Sequence, residues 1–238
     1  GDLGVTGAGL KLDKQDNPVE GIAAVIEFSR QGFSWKDTKF KYQGIDYQSN
    51  GVFSNFSAPE VKLKLFSQDL SLAADFGLLG KKIKIAQLKG KYLDSQFLVS
   101  GVADNSDSAN LQLDLSGKID MELSNLSGIL EKQYPAIKSM RPAGRLDAQF
   151  NLRGNPADFK SCYLQAEFAG NNFSLYGLNV ESLSLDFLQD QKIAKIPAMR
   201  AAIYDGLIEG SGALNLDTAN FAYQLELKAD RSKLEKLK

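Results

Sequence analysis

Histidine is absent from the 238 residues. That removes Ser-His-Asp and Cys-His catalysis and most zinc sites, because imidazole is the commonest general base and a frequent metal ligand. A single cysteine, Cys162, can close no internal disulfide and leaves the redox compartment open. A small side chain of this kind reads as buried packing rather than as a reactive thiol. No run reaches the roughly 18 apolar residues of a membrane-spanning helix, and no signal peptide opens the chain. A surplus of positive charge is also missing: 28 Lys and Arg stand against 29 Asp and Glu, a net charge of -1. A nucleic-acid partner is therefore not expected, since counterion release from phosphates needs a basic excess. The chain opens abruptly at Gly1-Asp2-Leu3 and stops at Leu237-Lys238. It reads as an excised soluble piece of a longer protein, so that any anchor or export signal would lie outside it.

What the chain does have is alternation. Over the 13 residues Leu111–Leu123, Leu111, Leu113, Leu115, Gly117, Ile119, Met121 and Leu123 fall on one side. Gln112, Asp114, Ser116, Lys118, Asp120 and Glu122 fall on the other. Period two predicts one extended strand with an apolar and a wet face, about 43 Å long at ~3.3 Å per residue. The same pattern recurs in Ile22–Phe28, Val61–Leu65, Leu70–Phe76, Ile83–Ile85, Phe97–Val99, Leu146–Leu152, Leu164–Phe168, Leu183–Phe187 and Tyr223–Leu227. Turn signals separate these runs: Asn50-Gly51, Asp104-Asn105-Ser106-Asp107, Gly154-Asn155-Pro156 and Asp217-Thr218-Ala219-Asn220. The expectation is a mostly β meander of about a dozen antiparallel strands. Leu126–Met140 breaks the pattern. Leu126, Ile129, Leu130, Tyr134 and Ile137 have helical spacing, Ser124 or Asn125 supplies a cap, and Pro135 predicts a kink. A weak internal repeat links Tyr92-Leu93-Asp94…Ser100-Gly101-Val102 to Tyr204-Asp205-Gly206…Ser211-Gly212-Ala213. A unit of about fifty residues suggests a stacked, quasi-linear architecture.

Residues 142–238 carry a more particular likeness. The residues concerned are Gly144-Arg145-Leu146 through Asn155-Pro156, Phe173-Ser174-Leu175-Tyr176-Gly177-Leu178 and Leu183-Ser184-Leu185-Asp186-Phe187. They continue in Ala202-Ile203-Tyr204-Asp205-Gly206 through Leu214-Asn215-Leu216 and end on Tyr223-Gln224-Leu225-Glu226-Leu227. This order resembles the repeated β-rich region of the AsmA-like family of envelope proteins, with its TamB- and YhdP-type members. Residues 1–141 share only its style. Where the family more often has Tyr-Gly-Gly, this chain has Tyr204-Asp205-Gly206, a change expected to fall in a turn. The resemblance implies one elongated segment over 1–238: a long curved antiparallel sheet forming an open, apolar-lined groove, with a helical insertion at 125–140. It further implies the periplasm of a Gram-negative-type envelope and an inner-membrane-anchored parent protein. The expected activity is phospholipid transport between the two membranes, with other envelope proteins at the groove ends and no cofactor.

The alternating apolar face alone fits either a sandwich core or a groove; the strand length and the resemblance favour the groove. Its expected lining is Leu63, Leu65, Leu72, Ile83, Ile85, Phe97, Val99, Leu111, Leu113, Leu115 and Ile119. It continues with Leu146, Phe150, Leu152, Leu164, Phe168, Leu183, Leu185, Phe187, Leu214, Leu216, Leu225 and Leu227. Such side chains contact acyl tails at about 0.8 kcal/mol per buried CH₂ and read no headgroup. Gly4-Val5-Thr6-Gly7-Ala8-Gly9 leads into no helix pattern and reads as strand or turn, not a phosphate loop. Gly77-Leu78-Leu79-Gly80-Lys81 lacks the spacing of one. Asp104, Asp107 and Ser108 fail the EF-hand order and read as turn caps. Asp120 and Glu122 lie on a solvated strand face rather than converging on a pocket. Lys36, Lys39 and Lys41, and Lys81, Lys82, Lys84, Lys89 and Lys91, read first as outward charges that solubilise and discourage edge pairing, with a lipid-headgroup or anionic-partner surface as the alternative. Trp35 with Phe33 reads as core in preference to a membrane or groove rim. No nucleophile–base or metal constellation appears, so an enzyme is not expected. Two rivals to lipid transport remain: a scaffold for outer-membrane proteins that accepts partner strands by β-augmentation, and a transmembrane β-barrel. The helical segment and the lack of an aromatic girdle weigh against the barrel.

Overall fold

The computed structural model describes residues 1–10, 17–107, 110–125, 139–217 and 222–230. The strands are β1 (Asp2–Leu10), β2 (Val19–Phe28), β3 (Gly32–Tyr42), β4 (Ile45–Ser54), β5 (Glu60–Phe66), β6 (Leu70–Leu79), β7 (Lys82–Tyr92) and β8 (Ser95–Asp104). They continue as β9 (Gln112–Glu122), β10 (Ala143–Gly154), β11 (Tyr163–Leu175), β12 (Leu178–Asp190), β13 (Ile193–Ile203), β14 (Gly206–Asn215) and β15 (Tyr223–Asp230). Hydrogen-bonded order equals chain order, giving one open, fifteen-stranded antiparallel meander. A 3₁₀ helix spans Pro156–Ser161, and helical turns occupy 123–125 and 139–140. Most of the helix expected over Leu126–Met140, residues 126–138, lies outside the described residues. Among those that are described, no helix is long and apolar enough to cross a membrane.

The chain divides into two compact units, one formed by Gly1–Leu93 and Leu98–Ser106, the other by Asp94–Phe97 and Asp107–Lys238. In the second unit β9 has 11 residues, one shorter at each end than the alternation predicts, because Leu123 already belongs to a helical turn. It aligns with strands of 12 and 13 residues, β10 to β12, long for globular proteins. Directly opposed residues share a face, so the registers generate rows across the sheet. One row runs Ile119, Ala148, Phe168, Leu185, Met199, Gly210, Leu227. Another runs Gly117, Phe150, Ala166, Phe187. Large and small side chains alternate along the second row, while the first carries Phe168, Leu185 and Met199 side by side between the small Ala148 and Gly210. Each such pair contributes a few tenths to about 1 kcal/mol. Leu123, Phe173 and Val180, joined by Met121, Leu146, Leu175, Leu183 and Ile203, form the buried cluster at one end of these strands.

In the first unit, rows such as Phe33–Phe53–Val61–Phe76–Ile85 and Trp35–Gly51–Leu63–Ala74–Leu88 make the corresponding face. Asn50-Gly51 is no turn. Both residues lie inside β4, and a Cβ on Gly51 would run into the Trp35 indole, so this glycine provides space rather than a bend. The hairpins turn instead at Gln43-Gly44, Tyr176-Gly177, Gln191-Lys192 and Tyr204-Asp205, whose residues all have positive φ. Positive φ at both central positions matches the twist of a two-residue hairpin.

Candidate functional site: the apolar face

A sandwich would bury the apolar face under a second sheet. Here, among the described residues, only Val61, Leu123, Ala148, Cys162, Ala166, Phe173, Val180 and Ala201 are buried hydrophobics. Over the rest of the face no second sheet lies among the described residues. In the second unit Leu113, Leu115, Ile119, Leu146, Phe150, Leu152, Leu164, Phe168, Leu183, Leu185, Phe187 and Leu214 share this face, all half-buried. Leu225 and Leu227 share it too, each 58% exposed on β15. Leu111 and Leu216 flank β9 and β14 and are half-buried. In the first unit Leu63, Leu65, Leu72, Ile83 and Ile85 share one face. Phe97 and Val99 are half-buried positions of β8.

The aromatic part of the first unit's face escaped the alternation. Phe33 stacks on Phe53 at 4.9 Å and leans on Trp35 and Phe28 at 6.1 and 6.0 Å. Phe40 stacks on Tyr47 at 5.4 Å, and Phe56, 59% exposed, packs beside Phe53. Trp35 is half-buried, and its Nε1 donates to Ser49 Oγ at 3.0 Å. The register shifts between Trp35 and Thr38, around Asp37 at φ 49°, so apolar residues change parity halfway along β3. A bulge of this kind inserts one residue and turns later side chains to the other face. The usable signal was the pair of alternating runs Phe33/Trp35 and Phe40/Tyr42, out of phase by one residue.

Other candidates resolve into local structure. Gly4–Gly9 lies within β1, and Gly80-Lys81 links β6 to β7. Asp104 accepts from the Ser106 backbone N–H at 2.9 Å and pairs with Lys82 at 2.8 Å. The Lys82 ammonium first, then Ser106, hold its carboxyl down at about 2. Arg145 meets Asp120 at 2.9 Å and Glu122 at 3.8 Å on the exposed opposite face. Cys162 is buried at the end of the 3₁₀ helix, where its thiol donates to the Asn155 carbonyl at 3.2 Å. Burial, and then the Asp158 charge, raise its pKa. Gln189, also buried, ties this corner to β12 by donating to the Phe159 and Cys162 carbonyls.

The lysines of the first unit share the face opposite the aromatics. β3 presents Lys36, Lys39 and Lys41, β5 presents Lys62 and Lys64, and β7 presents Lys82, Lys84, Lys89 and Lys91. β3 and β5 are paired on both sides and β7 is an interior strand of the order. These lysines therefore guard no edge, which corrects that reading of them. An open depression of about 500 Å³ lies among Lys36, Lys62, Lys64 and Lys89 on this side.

Comparison with protein-family models, with curated proteins and with solved structures returned no match. The likeness of residues 142–238 to AsmA-like proteins rests on its residues alone.

Proposed function

We propose that the chain is a non-enzymatic lipid-binding segment of an envelope protein that moves phospholipid between the inner and outer membranes. Acyl chains lie along the apolar strand face while headgroups stay in water. The supporting observation is the apolar face itself, most of whose large side chains are half-buried or exposed with no second sheet over them among the described residues. A face made of Leu, Ile, Phe and Met grips methylenes at about 0.8 kcal/mol each and discriminates little between headgroups. Localisation in the periplasm, an anchored parent and partner proteins at the two ends belong to the same proposal. β15 favours a second reading: all eight of its residues are exposed, and it pairs with β14. Such a strand is suited to receive a partner strand from an outer-membrane protein.

Photoreactive residues at Phe150 and Phe168 separate the two. On the first reading they trap phospholipid, and purified protein carries lipid detectable by mass spectrometry. Protein adducts at Gln224 and Glu226, with no lipid at either phenylalanine and none co-purifying, would overturn it in favour of the scaffold.

A further inference from the structure

We propose that the lysine face of β3–β7 docks on an anionic phospholipid bilayer. This goes beyond the acyl-chain reading and does not rest on it, since it uses the opposite side of the strands. Against the nine lysines, the same face of β2–β7 holds six carboxylates: Glu20, Glu27, Asp46, Glu60, Asp75 and, at the β3 bulge, Asp37, which accepts from Gln48 of that face at 2.9 Å. Lys36, Lys41 and Lys62 pair with three of them, and Lys82 with Asp104. Lys39, Lys64, Lys84, Lys89 and Lys91 have no ion pair among the described residues.

Their spacing follows from the register. Lys64 and Lys89 both oppose Ala73, so they stand two strands apart with a small neutral residue between. That is about 10 Å, near one Debye length at physiological salt, where like charges still repel. The strands, interior and already fully hydrogen-bonded, gain nothing from this repulsion. A negatively charged plane relieves it.

The chemistry favours a membrane over an acidic protein or a nucleic acid. These strands carry lysine and no arginine on this face. Lysine is a hydrated point charge suited to mobile phosphates, whereas fixed carboxylates and nucleic-acid phosphates are matched by the planar arginine fork. Val25, Val52 and Phe66 are 52%, 47% and 37% exposed on the same face, apolar groups able to enter the headgroup boundary. Phe66 is its single aromatic, too few to stack bases.

The test is vesicle co-sedimentation of the whole chain. Vesicles are phosphatidylcholine with about 30 mol % phosphatidylglycerol, at about 50 and about 300 mM salt, with pure phosphatidylcholine alongside. Binding is expected to the anionic vesicles and to weaken steeply with salt. Lys64→Gln, Lys84→Gln and Lys89→Gln together should weaken it about a hundredfold, near fivefold per lysine. Lys118→Gln, Lys195→Gln and Lys228→Gln together change net charge equally in the second unit and should shift binding less than about twofold. Circular dichroism confirms that both triple variants fold. Absent binding to anionic vesicles, equal losses in the two variants, or poly-glutamate competing as well as vesicles at matched charge would each overturn the proposal. Lipid trapping at Phe150 is read separately, so either idea can fail alone.

Discussion

At the scale of single residues, the most telling side chains are those whose role is fixed by one neighbour. Asp104 titrates at 3.8 when unpaired and at about 2 beside Lys82 and Ser106. A depressed carboxylate adds stability that is full above 3.8 and is lost as the pH falls from there to about 2. Asp104→Asn should flatten that part of the acid-unfolding curve, and carboxyl NMR should show the low titration in the parent chain. Thr38 Oγ1 is buried without a hydrogen-bond partner among the described residues. Because an unsatisfied buried hydroxyl costs stability, Thr38→Val should raise it by up to about 1 kcal/mol in chemical denaturation. Gly51→Ala should act oppositely. The added methyl displaces the Trp35 ring and with it the bond to Ser49, a loss of about 1–3 kcal/mol visible as a lower Tm and altered tryptophan fluorescence.

At the scale of elements, the strands were legible and their joints only in part. Runs such as Leu146–Leu152 announce a one-sided strand because half-burial forces period two, and the structure has β10 there. Of the turn signals, Asn50-Gly51 was misread, since it lies inside β4, whereas Asp104–Asp107, Gly154-Asn155-Pro156 and Asp217 fall at strand ends and Tyr204-Asp205 makes a hairpin. Gln191-Lys192 carries no sequence signal for positive φ; strand register on both sides imposes it. Bulges hid more. At Asp37 the parity of β3 reverses, so a face containing Phe33, Trp35 and Phe40 did not read as one face. The Leu164–Phe168 and Leu225–Leu227 parts of the apolar face were legible, since alternation is unbroken within β11 and β15 over those residues, whereas the register shift between Ile196 and Met199 hid Met199 of β13. A charge on that face tests its role. Phe168→Asp should reduce co-purifying lipid several-fold, and the half-exposed position should keep the loss of stability below that of a fully buried phenylalanine, about 3–5 kcal/mol.

At the scale of the whole molecule, the sequence carried the class of the fold, a mostly β meander, but not the number of strands or the division into two units. Composition alone could not separate a two-layer core from an uncovered face, because both demand the same alternation; only strand order distinguishes them. The charge balance hid an asymmetry of the same kind. A net charge of -1 argues against a nucleic-acid partner, yet nine lysines share one face of the first unit.

The coincidence of strand order with chain order has a kinetic meaning. Every strand finds its partner in the segment synthesised just before it, so no step waits for distant ends to meet. Such a chain assembles like a zipper, hairpin upon hairpin, and comes apart the same way, with neighbour-to-neighbour coupling in place of a single all-or-none transition. Backbone amide exchange should therefore show protection that grades from strand to strand, lowest in β15, rather than one global opening. A mutation that breaks one rung should loosen its neighbours most.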